Sequence, residues 1–153
     1  MKLAEALILR ADMKKKLDSM RERMKGNCLV QEGEEPHEDP QALLEDSFRL
    51  LQEHEQLICK INRANLSVKL SDGRSIMEAI AERDRLVAQH TLLKEAAASA
   101  RKDNAYYSNS EIKWKAVVKV PGLEKQADDL SKKIRELNTA IQSVNWASDM
   151  PEK

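Results

Sequence analysis

The stretch LEKQADDLSKKIRELNTAIQSVNW, residues 123–146, decides the fold. Leu123, Leu130, Leu137 and Val144 recur every seven residues, and Ala127, Ile134 and Ile141 form the row beside them. That spacing draws one apolar stripe along an α-helix and leaves the charged residues on its other sides. Pro121-Gly122 opens the segment, so a helix is predicted over about 122–146, roughly 37 Å long at 1.5 Å per residue.

The same period recurs upstream. Leu3, Arg10, Leu17 and Met24 form one row and Ala6, Met13 and Met20 its companion, predicting a helix over 2–25 that stops at Gly26-Asn27. Leu44, Leu51 and Ile58 lie beside Leu43, Leu50 and Leu57, and Ile61 continues their face, predicting a helix over 41–65 with Pro40 near its first turn. Ser75 and Glu78 have capping-box spacing and start a helix at about 76–101. The first helix is basic, whereas the loop at 27–40 holds Glu32, Glu34, Glu35, Glu38 and Asp39 with no Lys or Arg. Helix and loop should attract, within the chain or between subunits.

Two segments switch to a period of two. Leu66, Val68 and Leu70 alternate with polar residues ahead of Ser71-Asp72-Gly73. Ile112, Trp114, Ala116, Val118 and Val120 do the same with Lys and Glu between them. Strands are predicted near 66–70 and 111–120, pairing in a small β-sheet. The expected fold is therefore mainly α: one domain over 1–153, with four long helices in an elongated bundle or coiled-coil arrangement and that small sheet.

Composition narrows the function classes. The 153 residues carry 26 Lys+Arg against 26 Asp+Glu, and aromatic residues are 3% of the chain. A neutral chain lacks the basic footprint of a nucleic-acid binder and the polybasic patch of a membrane anchor. No apolar run approaches the ~20 residues of a membrane span, and the start has no cleavage-site pattern. Cys28 and Cys59 show no CxxC spacing, as in a cytoplasmic protein with reduced thiols. There is no Gly-rich phosphate loop, no GxSxG and no HExxH, so neither a cofactor nor an enzyme activity is expected. The acidic loop with His37 offers hard metal ligands, but its spacing fits no EF-hand and reads as a solvated loop.

Polar residues on apolar faces supply the candidate site. Arg10 stands in the row of Leu3, Leu17 and Met24, Arg83 and His90 lie seven apart on the inner stripe of the third helix, and His54 interrupts the second. A buried guanidinium must meet a carboxylate, carbonyls or an anion. Arg10 paired with Asp84 or Glu55 would fix register. Alternatively, Arg10, Arg83 and His90 would neutralise a small anion such as a phosphate. Tyr106 and Tyr107, beside Lys113, could stack a base and hold its phosphate, or simply close the end of the bundle.

Several stretches taken together resemble the septicolysin-like family of small bacterial and phage proteins. They are Met1–Asp12, Val30–Pro36, Ile61–Asn65, Ser108–Lys113 and Gln142–Trp146, in the same order over nearly the whole chain. The resemblance implies a helical protein with a small sheet, assembled as a homo-oligomer; it supplies no catalytic residues. The family name suggests a cytolysin. Yet Cys28 and Cys59 have no Trp near them, and no amphipathic β-hairpin of spanning length is present. The expectation is a non-catalytic cytoplasmic homo-oligomer holding a small anionic, nucleotide-like ligand between helices or subunits. It would have no nucleic-acid polymer and no membrane as partner. The alternatives are a purely structural or partner-binding coiled-coil module and a lytic toxin.

Overall fold

The computed structural model describes residues 1–101 and 114–150. Four helices follow one another: α1 (Leu3–Asn27), α2 (Pro40–Ser67), α3 (Ile76–Ala100) and α4 (Val120–Ala147). The starts of the first three are fixed by side chains that satisfy orphan backbone donors. The Lys2 N–H donates to Glu5 Oε2 at 2.7 Å ahead of α1. The Asp39 carboxylate accepts from the Gln41 N–H at 2.9 Å, with Pro40 as the first residue of α2. Ser75 and Glu78 form the expected capping box on α3.

The chain divides into two compact units. The first comprises Met1–Lys69 with Gln142–Lys153. Here α1 and α2 form an antiparallel hairpin. Lys16 and Met20 share a groove with Leu43 and Leu50, and Leu9 and Met13 share one with Leu57 and Lys60. The interior takes Ala6, Met13 and Met20 from α1 and Leu43, Leu50, Leu57, Ile61 and Ala64 from α2. Each buried Leu is worth roughly 1.5–3 kcal/mol, so this row holds the hairpin closed. The chain's end is tied to its beginning: the Leu3 N–H donates to the Ser148 carbonyl and the Met150 N–H to the Met1 carbonyl. Lys2 Nζ reaches Asp149 Oδ2 at 2.9 Å.

The second unit is Leu70–Ile141. Its buried residues include Ile76, Ala79, Leu86 and Ala97 from α3 and Ala127, Leu137 and Ile141 from α4. An ion pair of 2.8 Å joins Arg101, just past α3, to Glu124 in the first turns of α4. Leu70–Arg74 is a tight turn in which the Gly73 N–H donates to the Leu70 carbonyl and the Leu70 N–H to the Arg74 carbonyl. Gly73 has φ +86°, which a residue with a side chain rarely adopts.

The small β-sheet expected near 66–70 and 111–120 is not formed among the described residues. At the first site α2 simply continues through Leu66 and Ser67. The Val68 N–H caps it on the Ala64 carbonyl, and Ser67 Oγ bonds back to the Arg63 carbonyl. Leu66 and Ser67 are thus taken by the helix at one backbone bond per residue, and only Val68–Leu70 remains outside it ahead of the turn, too short a stretch for a strand. At the second site residues 114–119 lie outside any helix or strand, and Val117 is 94% exposed. Alternation marks a strand only where one face has something to cover it. Residues 111–113 lie outside the described residues.

Candidate functional site

The residues expected to gather around an anion are placed differently. Arg10 is exposed: the Ala6–Met13–Met20 row is buried, whereas in the row of Arg10 only Leu3 is buried and Leu17 and Met24 are half-buried. Arg83 is partly exposed and spent on its neighbour: its Nε and Nη2 both donate to Asp84 Oδ1, at 3.0 and 2.7 Å. His90, half-buried, lies seven residues along α3 from Arg83, about two turns away. Arg10 belongs to the first unit, Arg83 and His90 to the second. Tyr106, Tyr107 and Lys113 lie outside the described residues. No buried guanidinium is therefore left in want of an anion among these positions.

Charge is concentrated elsewhere. Between α1 and α2 lies a groove of about 370 Å³ whose rim carries Lys16, Arg23 and Arg49 against Asp46 and Glu53, over an apolar floor of Met20, Leu43 and Leu50. Arg49 is paired with Asp46 within α2. Arg23 forks onto Glu38 of the acidic loop, with Nε at 2.8 Å from Oε2 and Nη2 on the other carboxylate oxygen. Asn27 steadies that junction: its Oδ1 accepts from the Glu38 N–H at 3.0 Å and its Nδ2 donates to the Arg23 carbonyl at 2.8 Å. The hydrogen bond from Arg23 holds the Glu38 carboxyl below its ordinary range. The attraction between basic helix and acidic loop thus acts within the chain. Lys16 has no ion-pair partner among the described residues.

In the second unit, a groove of about 280 Å³ begins at the Leu70–Arg74 turn. Arg74 bridges Asp72, through Nε at 2.9 Å and Nη2 at 2.6 Å, and Glu82 through Nη1. These bonds hold Asp72 low and raise Arg74. With Lys133 and Glu136 opposite, the carboxylates of Asp72, Glu82 and Glu136 outnumber the cations Arg74 and Lys133, and this groove is a poor anion trap. A third, of about 500 Å³, is lined by Leu92, Leu93 and Leu130 together with Gln89, Gln126, Asp129 and Lys133, one acid against one base. None of the three sets a nucleophile against a base. No cluster of three or more His, Cys, Asp or Glu among the described residues has the geometry to hold a metal ion. Cys28 and Cys59 are both exposed and free.

Sequence reasoning missed the pair Lys16 and Arg49 because they lie on different helices, and no periodicity reports which faces meet. It drew the row of Leu44, Leu51 and Ile58 on α2 but did not show that this face is left open, with Phe48 59% and Leu51 48% exposed.

No curated protein matches this chain. Among solved structures it is similar to a functionally unknown conserved protein from Corynebacterium diphtheriae. The identity is 31%, the TM-score 0.93, and 99% of each chain is covered. No helix among the described residues is long and apolar enough to cross a membrane. A family model matches residues 10–150, so the chain belongs to the family of unknown function DUF6847.

Proposed function

We propose that the protein is a non-catalytic helical module that works by assembling with itself. One observation carries this reading: a row of large apolar side chains on α2 faces solvent beside the row that closes the hairpin. Leu44 and Ile58 are half-buried, and Phe48 and Leu51 are exposed. Scattered exposed leucines need no explanation, but an apolar row at helical spacing is the surface of a helix that pairs. Native mass spectrometry of freshly purified protein tests it by counting subunits, and it also shows any small molecule carried along. The expected result is an assembly of more than one 17.4 kDa chain. A spectrum of monomer alone at micromolar protein would overturn the reading.

A second reading has its own observation. The α1–α2 groove presents Lys16 without a carboxylate partner beside Arg49, above apolar side chains. A small anion with an apolar body, such as a nucleotide, fits that chemistry better than it fits Arg10, Arg83 and His90. Melting curves with phosphate and with mono-, di- and cyclic nucleotides test it, since a ligand that binds only the folded chain raises the midpoint. A shift lost in Lys16→Ala supports it; no shift at millimolar ligand removes it.

A further inference from the structure

We infer that α2 pairs with α2 of a second copy, antiparallel and centred on Leu51, to form a two-fold dimer. This rests on the reading that the protein self-assembles and says where and how.

Position comes from the apolar pattern. The buried row Leu43, Leu50, Leu57 and Ala64 is spoken for within the hairpin. Leu44, Leu51 and Ile58 repeat at the same spacing one residue on, about 100° around the helix, and Phe48 lies between the first two. A row every seven residues is the seam of a helix pair.

Direction comes from charge. From Glu32 to Asp46 every Lys, Arg, Asp or Glu position is acidic, and from Gln56 to Ser71 every one is basic: Lys60, Arg63 and Lys69. The two ends of α2 are thus opposite in sign. A parallel pair would set acid on acid and base on base. An antiparallel pair about Leu51 sets Leu44 against the partner copy's position 58. It also turns the acidic end of each α2 toward the basic end of the other, with Glu32, Glu34 and Glu35 of the loop before it, carboxylates free of ion pairs among the described residues; Glu38 stays with Arg23. The same surface meets itself, which is the requirement for a closed two-fold interface. Glu55, exposed, is the polar residue within the row; opposite the partner copy's position 47 it lies toward the edge of the seam and weakens the contact.

Cysteine cross-linking tests both position and direction, in a Cys28→Ser, Cys59→Ser background so that no native thiol competes. Leu51→Cys lies on the two-fold axis and is expected to oxidise to a covalent dimer. Leu44→Cys alone is expected to remain unlinked, and Leu44→Cys with Ile58→Cys to link. A covalent dimer from Leu44→Cys alone would overturn the antiparallel direction, because that pairing belongs to parallel helices. Sedimentation velocity of wild type, Leu51→Glu and Glu55→Leu provides the second measurement, with circular dichroism confirming that each variant is helical. Leu51→Glu is expected to weaken self-association by at least 100-fold and Glu55→Leu to strengthen it. A wild-type monomer would refute self-assembly itself. A wild-type dimer undisturbed by Leu51→Glu would keep self-assembly and refute this interface.

Discussion

Gly73 holds φ +86° and Gly26 sits near the end of α1, and neither has an atom within 4 Å of where a Cβ would stand. The two should respond to alanine in opposite senses. Gly73→Ala is expected to destabilise by about 1 kcal/mol or more, from backbone strain alone. Gly26→Ala should stabilise by ~0.5 kcal/mol through helix propensity. Urea denaturation with an unchanged slope checks both. Asn145 poses a different question: it is 4% exposed and its Oδ1 has no partner. Asn145→Leu should leave stability level or raise it by ~1 kcal/mol, whereas Asn145→Asp should lower it by ~2 kcal/mol or more, because it buries a charge. Arg10 marks how far residue identity can be read from the chain alone. Two apolar rows lie side by side on α1, and periodicity does not say which of them turns inward. The row with the arginine stands at the edge of the buried face, with Leu3 buried, Leu17 and Met24 half-buried and Arg10 exposed. Capping residues were far more legible: Ser75 with Glu78 is a local bond, complete in four residues.

The helices themselves were readable because propensity, period and caps agree. The expected spans 2–25, 41–65, 76–101 and 122–146 differ by at most two residues at either end from those observed. Strands were not, because alternation over a few residues competes with a helix that is already propagating, as at Leu66 and Ser67. The links between elements lie in exposed ion pairs: Arg23 with Glu38, Arg74 with Asp72, and Lys2 with Asp149. Hydrogen bonds from those cations hold each of the three carboxyls below its ordinary value. A carboxyl whose pKa is lowered by folding stabilises the fold above its unfolded value and loses that contribution as pH falls through the folded one. The melting temperature should therefore be level from pH 8 to 6 and fall below about pH 4. Lys2→Met should flatten part of that fall; an acid profile identical to wild type would show that the Lys2–Asp149 pair contributes nothing. In the interior of the hairpin, Leu50→Ala should cost about 2–4 kcal/mol, read from the same denaturation curves.

At the scale of the whole molecule the heptad stripe of the last helix is not the surface left for assembly. It is well covered in the single chain: Ala127, Leu137 and Ile141 are buried and Leu123, Leu130 and Val144 half-buried. The uncovered apolar surface described above is on α2. The candidate site was therefore legible only as a class, an apolar helical face awaiting a partner, while its location depended on which rows the hairpin had already used. The lytic alternative, which rests on the septicolysin-like family name alone, leads to a separate expectation. Lipid vesicles, with or without cholesterol or reductant, should retain their dye at micromolar protein, and prompt leakage at nanomolar protein would favour the lytic alternative. Light scattering of the wild-type protein at micromolar concentration decides whether the chain self-assembles. The expected mass is twice 17.4 kDa for the two-fold pair; a mass of 17.4 kDa would contradict it.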